Sequence, residues 1–207
     1  MSQNKLVDQA FLELTEDPED TYILSNLIED LTDPNAVQYF LEKLRPFDKK
    51  LFSEYQGELV RDLLTQWARS DGAITTAHFK EVSDWVESNI DEMDKAYIST
   101  ECLQMASFYS VKANIFHGDE IEYGSEEADQ LNARFSDPKM VEYWIEKAML
   151  HAMDVDDWVY IIEIVAQPHS GLHMADVEWG KKILERGMNV LEPQQAKKLA
   201  KKAEAYF

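Results

Sequence analysis

Apolar residues along this chain recur at helical spacing. After Asp33, the residues Val37, Phe40, Leu41 and Leu44 stand at i, i+3, i+4 and i+7; after Asp137, Val141, Trp144, Ile145 and Ala148 fall in the same pattern. Each set places one apolar stripe on an amphipathic helix whose other side is polar. The two sets belong to a phrase written twice. Asp33-Pro34-Asn35-Ala36-Val37-Gln38-Tyr39-Phe40-Leu41-Glu42-Lys43 returns as Asp137-Pro138-Lys139-Met140-Val141-Glu142-Tyr143-Trp144-Ile145-Glu146-Lys147, with six of eleven positions identical. Self-similarity over such an interval points to stacked helical units. Tyr39 and Tyr143 lie beside the stripe, where a ring can pack on a neighbouring helix while its hydroxyl reaches the edge.

The helix starts are marked by chemistry. Asp17-Pro18, Asp33-Pro34 and Asp137-Pro138 each place a carboxylate before a proline. The carboxylate accepts from free backbone N–H groups, and proline at the first helical position has no N–H to satisfy. The periodicity predicts helices over 4–14, 18–31, 34–44, 48–69, 76–90, 95–116, 125–134, 138–153, 156–166, 174–187 and 193–205. Gly57 interrupts 48–69 without forcing a break. Ser70-Asp71-Gly72-Ala73 and Gln167-Pro168-His169-Ser170-Gly171 read as connectors; Gly187 closes one helix and Pro193 opens the last. No convincing alternation of strand type is present. The expected fold is therefore all-α: stacked antiparallel helical hairpins forming a short α-solenoid or helical-repeat bundle. Its two related halves are placed at 1–118 and 119–207, or run together as one elongated domain.

Charge changes the picture more than composition does. Forty acidic against twenty basic residues give a formal charge of −20, while 45% of the chain is apolar, enough for a real core. Such a charge opposes bare nucleic acid and anionic membranes, and it steers a basic partner toward the surface. It is also what an acidic soluble protein needs for solubility alone. Residues 181–207 run the other way, holding seven basic side chains and three acidic ones. Of these, Lys197, Lys198, Lys201 and Lys202 form a stripe that complements a helix C-terminus, with Leu199, Ala200, Ala203 and Tyr206 turned inward. The stretch 117–130, read as the junction between the halves, carries six carboxylates and no lysine or arginine.

Little of this suggests catalysis. His169, His173, Asp176 and Glu178 resemble a metal-ligand set in spacing, but Pro168 and Gly171 put His169 in a loop. Asp119–Gly124 imitates the start of a calcium loop, yet Ile121 and Tyr123 occupy ligand positions and Gln130 stands where a bidentate glutamate belongs. Asp154, Asp156 and Asp157 meet Val159 where such a loop needs glycine. Phosphate-loop, dinucleotide and nucleophile-elbow motifs are absent. Cys102, the lone cysteine, sits among Leu103, Met105, Ala106 and Phe108, which predicts inert burial. No enzyme activity, cofactor or metal is expected. The first residues carry no signal-peptide pattern and no apolar run has transmembrane length, so a cytoplasmic location is expected.

The last third carries a resemblance. Asp157-Trp158-Val159-Tyr160-Ile161-Ile162-Glu163-Ile164-Val165-Ala166, followed by Met174-Ala175-Asp176-Val177-Glu178-Trp179-Gly180-Lys181-Lys182-Ile183-Leu184, resembles short helical repeats of acidic bacterial proteins, including some near toxin systems. The phrase Ala175-Asp176-x-Glu178-Trp179 carries most of it. The resemblance implies a helical-repeat protein that binds another protein, such as a toxin-neutralising immunity protein, and no catalytic set. A basic partner would meet carboxylates with a few aromatic anchors. The acidic candidates are Glu120, Glu122, Glu126, Glu127 and Asp129, then Asp154, Asp156 and Asp157; Tyr123 and Trp158 are the candidate anchors. The competing expectation is a scaffold or adaptor in a cytoplasmic assembly.

Overall fold

A computed structural model describes residues 2–17, 20, 22–31, 33–47, 80, 83–84, 86–88, 90–92, 95–110, 125–167 and 174–207; among them the regular structure is helical and no strand occurs. The helix expected over 48–69 and the connectors at 70–73 and 168–171 lie outside the described residues, as does 111–124. Contacts divide the chain into two units, Met1–Asp94 and Lys95–Phe207. The sequence-based boundary at 118/119 lies within 111–124.

In the first unit, α1 (Gln3–Glu16) packs against both α2 (Tyr22–Asp30) and α3 (Pro34–Phe47). The reason lies in its spacing: Val7, Ala10, Phe11 and Leu14 share one face and are all buried. Leu24, Leu27 and Leu31, and from α3 Ala36, Val37, Phe40 and Leu44, are buried as well. Phe11 and Phe40 stack at a tilt with centroids 5.7 Å apart. Gln3 ties two elements together, its Nε2 donating to the carbonyl of Asp30 (2.9 Å) and its Oε1 accepting from the N–H of Asp33 (2.7 Å). Helix α3 continues to Phe47 through Pro46, past the expected end at 44. In the last turn proline gives up only one backbone bond.

The second unit contains α4 (Lys95–Phe108), α5 (Glu126–Phe135), α6 (Pro138–His151), α7 (Val155–Ala166), α8 (Val177–Val190) and α9 (Pro193–Ala203), ending in a 3-10 turn, Glu204–Tyr206. Helix α4 packs chiefly on α6, and Ser99 Oγ donates to the Ala148 carbonyl at 3.2 Å. It ends at Phe108 rather than 116; the Tyr109 carbonyl beyond it accepts from the N–H of Asp137 at 2.9 Å, joining the end of α4 to the start of α6. Helix α7 is central, touching α4, α6, α8 and α9. Val155, Trp158, Ile161, Ile162, Ile164, Val165 and Ala166 are buried, as expected of a helix that is apolar nearly all round.

Both copies of the repeated phrase form the expected helix start. Asp33 Oδ1 accepts from the N–H of Asn35 (3.0 Å), and Asp137 Oδ1 from Lys139 (3.0 Å) and, at longer range, Met140 (3.4 Å). Val37, Phe40 and Leu44 are buried in one; Val141, Trp144, Ile145 and Ala148 in the other. The tyrosine and the lysine four residues later also recur as a pair. Lys43 lies 5.1 Å from the Tyr39 ring centroid, and Lys147 lies 5.3 Å from that of Tyr143.

One helix boundary differs from the spacing-based expectation at Gly187. Helix α8 spans Val177–Val190, and Gly187 lies inside it rather than closing it. A Cβ there would stand 2.8 Å from the Trp158 ring and from Leu199 Cδ2, so glycine is what lets α7 and α9 approach α8. Close approach, not helix termination, explains this residue.

Candidate functional site

The acidic candidates fall into three groups. Glu120, Glu122 and Tyr123 lie outside the described residues. Glu126, Glu127 and Asp129 form the first turn of α5 and are exposed, with Arg134 in the last turn. Carboxylates at this end and a cation at the other both complement the helix dipole. Gln130 Nε2 donates to Glu126 Oε1 at 3.2 Å, and none of the three carboxylates forms an ion pair among the described residues.

Asp154, Asp156 and Asp157 come together at the start of α7, where each has a structural partner. Asp154 Oδ1 accepts from the N–H groups of Asp156 (2.7 Å) and Asp157 (3.1 Å), while Asp157 Oδ2 accepts from those of Met153 (2.6 Å) and Asp154 (3.4 Å). This reciprocal capping box satisfies donors that the helix itself cannot. Asp156 pairs with Lys202 of α9. The hydrogen bond from Lys202, then its charge, holds the Asp156 carboxyl below its ordinary range. The lysine stripe therefore meets a carboxylate of its own chain, while Leu199 and Ala203 are buried and Tyr206 Oη donates to Glu163 Oε2 at 3.0 Å. Trp158, the second candidate anchor, is 1% exposed and packs beneath Gly187 as core.

A feature not singled out by sequence reasoning lies between α6 and α8. The two helices each pack on α7 and make few direct contacts with one another, leaving an open groove of about 620 Å³. On α6 it is lined by Pro138, Glu142, Glu146 and Met149; on α8 by Glu178, Trp179, Lys182, Ile183 and Arg186, with Met174 and Asp176 at the entry to that helix. The lining positions recur every three to four residues, as one face of each helix must. Glu146 and Arg186 form an ion pair between the helices. Asp176 Oδ1 caps α8 by accepting from the Trp179 N–H at 2.8 Å, and the Asp176 N–H donates to the Val165 carbonyl at 3.0 Å. Immediately before Asp176, Ala175 adopts a positive φ of 51°. The signal available in sequence was Glu178-Trp179 followed by Lys182-Ile183 and Arg186 at helical spacing; that α6 would supply the facing wall is a tertiary fact.

Other chemistry is sparse. His169 and His173 lie outside the described residues, and among the described residues no group of three or more His, Cys, Asp or Glu could hold a metal ion. Cys102 is buried in α4, as its neighbours suggest. Beside it, Glu101 is also buried; desolvation raises its pKa to about 8, and its Oε1 has no protein hydrogen-bond partner. Among the described residues no helix is long and apolar enough to cross a membrane.

Fold and site together define an acidic chain, helical over its described residues, with exposed carboxylates and an amphipathic groove. No family model matches it, and neither curated proteins nor solved structures give a significant match.

Proposed function

We propose that this chain is a protein-binding protein that captures a basic partner, as a toxin-neutralising immunity protein would, with a cytoplasmic site of action and no catalytic role. The helices are read as stacked antiparallel hairpins of a short α-solenoid with two related halves, a rigid frame for presenting charge. The observation that carries the reading is the unpaired first turn of α5: Glu126, Glu127 and Asp129 are exposed and make no ion pair among the described residues, in a chain of net charge −20. Exposed like charges of this kind raise the rate of encounter with a cationic surface. Asp154, Asp156 and Asp157, each engaged within the chain, have less charge to offer a partner.

Co-purification of the full chain from its native cell tests this. A basic protein is expected to be retained at low salt, partly released at moderate salt, and lost from a variant with charge reversal at Glu126, Glu127 and Asp129. Retention of no basic protein contradicts the proposal.

A scaffold or adaptor role is the second reading. It is favoured by large apolar residues left in solvent: Leu150 is 71% exposed and Val190 67%. Partners held by such residues would persist at high salt.

A further inference from the structure

We propose that the groove between α6 and α8 is the docking site for a basic amphipathic helix of the partner protein. This rests on the protein-binding reading and assigns its contact surface. The groove has two kinds of lining. Trp179 and Met174, both partly exposed, supply apolar area over a floor formed by the buried Met149 and Ile183. Partly exposed tryptophans in a concave setting are the side chains that most often anchor an interface.

The polar lining selects the sign of the occupant. Four carboxylates (Glu142, Glu146, Asp176 and Glu178) face two cations, Lys182 and Arg186. Arg186 is matched by Glu146 and Glu178 by Lys181, while Asp176 is occupied in capping α8. Neither Glu142 nor Lys182 has an ion-pair partner among the described residues, so the negative sign of the lining rests on its four carboxylates outnumbering its two cations. The balance is negative, and a lysine or arginine beside an apolar residue complements it. A second copy of a chain carrying −20 would be repelled, and so would a phosphate backbone.

The dimensions suit a helix. From Pro138 to Met149 the lining on α6 covers roughly 16 Å at 1.5 Å per residue, about three turns. The ion pair between Glu146 and Arg186 ties together two walls that otherwise scarcely touch. One turn beyond Glu146 stands Leu150, and one turn beyond Arg186 stands Val190, both exposed and able to extend the apolar contact. A helix laid in a groove by anchors three and four residues apart is a recurring mode of recognition.

The test uses the full chain and a synthetic tryptophan-free helical peptide with leucines along one face and lysines beside them. A peptide in which glutamate replaces lysine is the control. Binding is expected to shift tryptophan emission to the blue, and the shift is expected to vanish in Trp179→Phe. Glu142→Lys, an exposed change that leaves the core intact, is expected to weaken the lysine peptide by about tenfold, roughly one pKa-sized step in free energy. The pair Glu126→Lys and Glu127→Lys on α5 is expected to slow association with little effect on dissociation. An unmoved Trp179 emission overturns the groove assignment, as does equal weakening by the α5 and Glu142 changes. If the peptide misses the groove while a basic protein is still retained from the cell, only the groove assignment fails. If the peptide binds there and no basic protein is retained, only the functional reading fails.

Discussion

Glu101 shows how one residue can oppose the structure around it. It lies on α4 between Ser99 and Cys102–Leu103, all buried, and burial alone raises its carboxyl from 4.5 to about 8. The unfolded chain gives up this proton near pH 4.5, whereas the folded chain keeps it until about pH 8. Stability from this group is therefore complete below pH 4.5, declines as pH rises, and levels off above 8. The slope approaches about 1.4 kcal/mol per pH unit between those limits. Glu101→Gln removes the titration, so its advantage over the parent chain should be small near pH 5 and reach on the order of 3 kcal/mol by pH 7.5. Urea unfolding of both chains across that range measures the difference, in which the other carboxylates cancel. A difference that does not grow with pH contradicts the burial of a neutral acid. Nothing in the sequence marked this residue among forty acidic ones. Its burial follows from α4 being covered on several faces, which a one-stripe reading of periodicity misses.

At the scale of elements, local chemistry was largely legible and tertiary approach was not. The caps at Asp33 and Asp137 and the buried positions after them follow from spacing and hydrogen-bond demand, and both are found. Asp137→Ala should cost about 1 kcal/mol through loss of the cap, while Asp137→Asn should largely preserve it. Gly187 could not be read so. A glycine near the end of an apolar period suggests a cap, but its role depends on Trp158 and Leu199 arriving from α7 and α9. Gly187→Ala should therefore destabilise by about 1–3 kcal/mol through overpacking, although alanine is the better helix former. Thermal unfolding checks the sign: a raised midpoint would show that propensity outweighs the clash. The groove belongs to the same category. Each wall is an ordinary amphipathic face in sequence, and only the placement of α6 and α8 against α7 makes the two walls face each other.

For the whole molecule, the distribution of charge matters more than its sum. Some carboxylates are consumed by folding: Asp154 and Asp157 cap α7, Asp156 holds Lys202, and Glu146 holds Arg186. Others, at the start of α5 and at Glu142, form no ion pair among the described residues and are the ones that the proposed capture of a cationic partner would use. The sequence disclosed the excess of charge without disclosing which residues would be spent internally, because that depends on contacts between α7 and α9 and between α6 and α8. The most direct measurement is retention of native-cell proteins by the full chain at roughly 50 and roughly 300 mM salt, on either side of the screening of exposed charges. The expected result is a basic protein held at the lower salt, weakened at the higher, and lost when Glu126, Glu127 and Asp129 are reversed in charge. Retention of no basic protein, or of one indifferent to both salt and charge reversal, would contradict capture by acidic surface.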